Sequence, residues 1–214
     1  MIGATGLVGS QLLRQLMADE KCKSIVVLGR RSVEIVSPKL VEHVIDFAKP
    51  DTWAALVEGE VAFSGLGTTL KVAGSEAAQW QVDNTFQLAF GKAAAANGVP
   101  AFVLISSSGA TAASPFFYLR MKGELERDLA TLPFVRQRYL RPGVLDGERV
   151  NKRLSERFFV TAFRPFARIF PAGMRPIAAS VVADAAVRAG YDTTPGIHVL
   201  EAADIFASVS THTS

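Results

Sequence analysis

The seven residues Gly3-Ala4-Thr5-Gly6-Leu7-Val8-Gly9, directly ahead of a helical pattern, constrain this chain more than any other feature. Glycine at every third position lets a backbone turn sharply and come close to a pyrophosphate. A helix that starts there offers free N–H groups and the positive end of its dipole to an anion. Leu12, Leu13, Leu16 and Met17 then fall on one helical face. A second strand, Ser24 to Leu28, ends roughly 20 residues further on, and that context turns a weak glycine pattern into a dinucleotide-binding prediction. A buried strand takes about five residues, yet only Met1 and Ile2 precede Gly3. Either the first strand begins upstream of Met1 or the central strand is unusually short.

Short apolar runs alternate with helical patterns along the rest of the chain. Strands are predicted at Val41 to Ile45, Val61 to Ser64, Phe102 to Ile105 and Val135 to Leu140. A short helix capped by Asp51 runs through Leu56, a long one spans Ser75 to Ala96, and another spans Phe116 to Leu129. Near-continuous apolar strands between helices imply an α/β chain: one Rossmann-type, doubly wound parallel sheet with helices on both faces. Ligands of such sheets lie at the strand carboxyl ends, where the strand order reverses. Residues 141–190 are richer in Arg, Phe and Pro, as in Phe163-Arg164-Pro165-Phe166. They are expected to form a small C-terminal lobe on the substrate side, within a single domain of 1–214, of which 141–175 is the more mobile part and orders over the ligand.

Composition narrows the class. With 214 residues, the chain has room for one well-buried α/β domain. No apolar run reaches the roughly 18 residues of a membrane span, so no membrane partner is expected. The single cysteine, Cys22, excludes a disulfide framework and a cysteine metal site. With no signal-peptide pattern at the start, a reducing cytoplasmic compartment is the expectation. The net charge of +3 comes from scattered basic residues without a nucleic-acid-binding signature, so the expected partner is a small molecule.

Three further patterns carry chemistry. The second strand runs into Gly29-Arg30-Arg31. An acid there would accept the 2′-hydroxyl of NAD and repel a 2′-phosphate; two arginines favour the phosphate, hence NADPH. Tyr118 and Lys122 are four residues apart and share one helical face. A free tyrosine has a pKa near 10, and a neighbouring ammonium favours its phenolate. Ser106-Ser107-Ser108-Gly109 ends the fifth strand, where a hydroxyl can hold a substrate carbonyl.

Together these motifs resemble the short-chain dehydrogenase/reductase superfamily, and within it the atypical branch of the Tat-interactive oxidoreductase-like proteins and their bacterial relatives. The resemblance spans about residues 1–190 and adds Leu66-Gly67-Thr68-Thr69, Ser106 to Ala110, Tyr118 to Glu124 and Arg141-Pro142-Gly143. It implies an NADPH-dependent oxidoreductase acting on a carbonyl or alcohol. Tyr118 would exchange the proton, Lys122 would assist it and bind ribose, and Ser106 or Ser107 would hold the reacting oxygen. Gly3, Ala4, Thr5, Gly6, Leu7 and Val8 would hold the pyrophosphate, and Gly29, Arg30 and Arg31 the 2′-phosphate. Asp46 and Phe47 would border the adenine, and Leu66, Gly67 and Thr68 the nicotinamide ribose. Arg141 and Leu145 would flank the nicotinamide, and Arg153 would contact phosphate or a polar substrate. The alternative is a non-catalytic NADPH-binding regulator that acts through a protein partner.

Overall fold

The computed structural model describes residues 1–146 and 176–210. Its sheet is wholly parallel among these residues. Strands β1 (Ile25–Gly29), β2 (Leu40–Val44), β3 (Val61–Ser64), β4 (Ala101–Ile105), β5 (Arg136–Arg141) and β8 (Gly196–Glu201) follow the order β2-β1 and β3-β4-β5-β8. Ile2 bridges the two halves, pairing with Leu28 on one side and Ser64 on the other. Two residues ahead of Gly3 thus occupy the sheet's central position, between β1 and β3. A short parallel pair, β6 (Leu145–Asp146) and β7 (Ile177–Ala178), lies beyond β5 in the chain.

Period-two alternation divides the strands between two cores. Ile25, Val27, Phe63, Val103 and Leu140 face α1 (Leu7–Ala18), α6 (Ala179–Tyr191) and α7 (Ala202–Ser210). Leu28, Ala62, Phe102, Leu104 and Tyr139 face α4 (Phe86–Ala96), α5 (Phe117–Leu129) and the Trp53 corner. The doubly wound reading is borne out, with helices on both faces.

Several expected elements differ. The helix expected over 51–56 is two 3₁₀ turns, Pro50–Thr52 and Ala54–Leu56. The long helix expected over 75–96 has three parts: α3 (Glu76–Trp80), capped by the Ser75 hydroxyl; a π turn, Gln81–Thr85; and α4. The stretch expected to form a lobe ends in α6, which packs on α1 beneath the sheet; Gln15 donates to the Ser180 carbonyl at 2.9 Å. Small residues Ala179, Ala183 and Ala186 recur along the buried face of α6 and permit that approach. The remainder of the expected lobe, 147–175 with Arg153, lies outside the described residues.

Candidate functional site

The glycine loop is held closed by its neighbours. Gly3 has φ +83°, and a Cβ on it would fall 2.3 Å from the carbonyl carbon of Gly65. Only glycine lets the loops after Ile2 and after β3 touch in this way. Helix α1 then begins at Leu7 with no side-chain cap and no acid in its first turn, so its positive end faces the strand carboxyl ends uncompensated.

A crevice of about 530 Å³ opens there. Gly6, Leu7 and Val8 form one wall, and Leu66, Gly67 and Thr68 another. Ser106, Ser107, Tyr118, Lys122 and Leu145 also line it, so one cavity gathers most of the residues that the motifs single out. Helix α5 supplies Tyr118 and Lys122. It sits backbone against backbone on the preceding turn: a Cβ at Gly123 would lie 2.1 Å from the Thr111 carbonyl carbon.

Lys122 is buried, and its ammonium lies 3.4 Å from Asp83 Oδ1. The other oxygen of Asp83 accepts from the Thr68 backbone N–H at 2.8 Å. Burial pushes the Asp83 carboxyl up, against the opposing pull of Lys122 and Thr68. Tyr118 is partly open to solvent, with 39% exposure.

The two serines differ. The Ser106 hydroxyl donates to Glu126, itself buried and held by the Arg141 guanidinium, with Nε 3.1 Å from Glu126 Oε1. Among the described residues, the Ser107 hydroxyl makes only a long, 3.5 Å contact with the Ser108 carbonyl. The serine turn therefore presents one committed and one uncommitted hydroxyl to the crevice.

Some expected cofactor residues are placed elsewhere. The Arg141 guanidinium is engaged by two carboxylates, Glu126 and Glu201, rather than open to the crevice. Phe47 is a core residue, edge-on to Trp53 and stacked on Phe86 with centroids 5.5 Å apart. Asp46 is exposed and pairs with Lys49 at 3.8 Å. Ala4 is buried in the α1 core, and Thr5 is exposed. Gly29 ends β1; Arg30 and Arg31 follow it, exposed and without an ionic partner among the described residues.

The crevice also holds residues that the motifs did not indicate: Glu76, Gln79 and Asp83, all from the region expected to be continuous helix, and Phe117. The available signal was Asp83-Asn84, two polar residues on what becomes the buried side of that helix. A π turn is a recurrent mark of functional sites, but it cannot be distinguished from an ordinary turn by apolar spacing alone.

Fold and crevice define a Rossmann-type α/β protein, and solved structures agree. The chain is similar to UDP-glucose 4-epimerase from Thermotoga maritima, with TM-score 0.70, 15% identity, and coverage of 93% of this chain and 74% of that one. It is also similar to MoeE5 in complex with UDP-glucose and NAD, with TM-score 0.69, 16% identity, and coverage of 99% and 80%. No protein-family model matches the chain. It is 40% identical over 158 residues to Protein FMP52-1, mitochondrial, of Scheffersomyces stipitis, covering 72% of this chain and 69% of that protein. It is 35% identical over 206 residues to Protein fmp52, mitochondrial, of Emericella nidulans, covering 92% and 88%.

The chain belongs to the FMP52 family. These relatives carry the FMP52 name, not that of the Tat-interactive branch. The location in their names overturns the cytoplasmic expectation. A lone cysteine indicates a reducing environment, and such an environment is not unique to the cytoplasm.

Proposed function

We propose that this chain is an NADPH-dependent oxidoreductase that reduces a carbonyl or oxidises the corresponding alcohol. The observation that carries the reading is one crevice lined by the glycine loop, Ser107, Tyr118 and Lys122. The residues fit the cofactor: the Gly3 contact leaves no room for a side chain, and the uncapped start of α1 suits a pyrophosphate. Arg30 and Arg31, exposed where β1 ends and without an ionic partner among the described residues, suit a 2′-phosphate better than a bare ribose hydroxyl. The bound nicotinamide would supply or accept the hydride.

The chain's own groups then handle the oxygen and its proton. Tyr118 gives its phenolic proton to the oxygen that gains charge as a carbonyl is reduced. Lys122, one turn further along α5, lines the same crevice and would hold the ribose of the cofactor. Ser107 donates a hydrogen bond to the same oxygen, a role that Ser106 cannot share while its hydroxyl is bound to Glu126.

Calorimetry with NADPH and NADH, followed by a screen of carbonyl substrates read by NADPH absorbance, tests the reading. NADPH should bind at least about tenfold more tightly, since charge-assisted contacts are worth about 1.5–3 kcal/mol each. Tyr118→Phe should lose about 10²–10⁴-fold in turnover while cofactor affinity holds. Equal affinities would remove the case for NADP. Tight NADPH binding with no turnover across the screen would favour a regulator acting through a protein partner.

A further inference from the structure

The π turn places one group that the proposed chemistry does not use. Asp83 is 2% exposed, and its two carboxylate oxygens face different partners. One approaches Lys122 on α5, and the other accepts from Thr68 in the loop after β3. Its backbone is fixed as well. Gln87 Nε2 donates to the Asp83 carbonyl at 2.7 Å, and Gln87 Oε1 accepts from the Ser64 hydroxyl at 2.7 Å. Asn84 Nδ2 donates to the Met121 carbonyl at 3.3 Å, tying the turn to α5 directly. The carboxylate therefore joins two walls of the crevice, the loop after β3 and helix α5.

We infer that Asp83 is a positioning residue that holds the Lys122 ammonium against the Thr68 loop, and that its ionisation links dinucleotide binding to protons. A lysine ammonium rides on a flexible four-carbon stem with three rotatable donors. Fixed by Asp83, it keeps its other donors directed toward the cavity that Lys122 lines. Protonation of Asp83 releases the ammonium and leaves a buried cation unpaired, which is costly. Burial raises the carboxyl, so the clasp is complete above its titration range and lost as pH falls through that range.

Among the described residues, the other charged or titratable groups on this crevice are Tyr118 on α5 and Glu76 on α3. One turn beyond Lys122, Glu126 is already held by Ser106 and Arg141. The inference rests on the dinucleotide reading above, and its test separates the two.

NADPH affinity would be measured by fluorescence titration from about pH 8 down through the carboxylate range, as far as the chain stays folded. The proteins are the 214-residue chain, Asp83→Asn, Lys122→Met and the double variant. Asparagine keeps an acceptor for the Thr68 amide but turns an N–H toward the ammonium. Asp83→Asn should bind about tenfold more weakly at the alkaline end, the effect of losing a charge-assisted contact. The unmodified chain should lose affinity toward acid more steeply than Asp83→Asn, the 2′-phosphate titration being common to both. Lys122→Met should also lack the extra acid step, and adding Asp83→Asn to it should cost nothing more.

Parallel acid profiles for the unmodified chain and Asp83→Asn, or additive losses in the double variant, would overturn the inference. If Asp83→Asn does not fold, the acid step in Lys122→Met decides, and its persistence sinks the inference. No NADPH binding by the unmodified chain overturns the cofactor reading instead.

Discussion

Two basic side chains are buried among the described residues, and their surroundings are opposites. Arg138, on β5, is 2% exposed and saturated. Its Nε lies 2.9 Å from Asp192 Oδ2, its Nη1 lies 3.0 Å from the carbonyls of Gln137 and Gly196, and its Nη2 donates to the Thr194 carbonyl. Those acceptors belong to β5 itself, to the connection from α6 to β8 and to the first residue of β8, so the guanidinium fastens that strand to the sheet. Lys122 is buried as deeply, at 3%, yet has one ionic partner among the described residues and borders a crevice. Burial alone therefore does not mark a functional charge. The informative quantity is how many of the buried donors already have acceptors.

The largest effects should separate these two cations cleanly. Arg138→Leu leaves the Thr194 and Gly196 carbonyls without their donor and Asp192 without its cation. We expect a loss of about 3 kcal/mol in stability, as for one partner removed from a buried pair. NADPH affinity of the folded fraction should not change, because none of the Arg138 partners borders the crevice. Lys122→Met should do the reverse, with a stability loss of about 1 kcal/mol, since the Asp83 carboxyl can take a proton, and a clear loss of NADPH binding. Urea unfolding and NADPH titration on both variants measure the contrast. Equal loss of NADPH affinity in the two would show that the distinction between them is false.

The same contrast explains what could be read from the amino-acid order. The glycine loop, the buried strands and the Tyr118–Lys122 pair announce themselves through local spacing, and the structure puts them where that spacing implies. Asp83 was invisible because its meaning is long-range: its partners are 15 residues away at Thr68 and on α5 at Lys122. A π turn was needed to aim it, and that turn sits inside what apolar spacing makes a single helix. Arg141 misled for the matching reason. Its place just after the strand expected over Val135 to Leu140 suggested a cofactor contact, while Glu126 and Glu201, both distant in sequence, claim its guanidinium. Helix α6 was hidden among residues grouped by composition with 147–175, although its own alanine-rich face is helical.

A second, smaller pair sharpens the rule that satisfied groups are structural and open ones functional. Ser107→Ala should slow turnover by about 10–100-fold, the worth of one hydrogen bond to a developing charge, with stability nearly unchanged. Ser106→Ala should remove a hydrogen bond to buried Glu126, which retains Arg141. We expect about 1 kcal/mol of lost stability and a change in turnover of less than about threefold. Steady-state kinetics and thermal melts on both variants test this. A severe kinetic defect in Ser106→Ala, with Ser107→Ala close to unmodified activity, would reverse the assignment.

The smallest expected effect lies on the acidic partner of Arg138. Asp192 is held down to about 2, first by the backbone N–H of Thr194, next by the Thr194 hydroxyl, and also by the Arg138 guanidinium. The Thr194 amide lies 2.9 Å from Asp192 Oδ1. A carboxyl with a lower value folded than unfolded favours the folded state only while ionised. Its contribution is complete above the unfolded value of about 4 and disappears as pH falls from there toward the folded value. The side chain is 41% exposed, so solvent and salt screen the interaction and the effect stays small. Asp192→Asn removes this titration and leaves the other carboxylates in place. Melting temperatures of the unmodified chain should therefore fall more steeply than those of Asp192→Asn between about pH 4 and pH 2.5, and the difference should shrink in high salt. Identical slopes would mean that Arg138 is held by its carbonyl partners alone and that the ion pair adds nothing to the clamp.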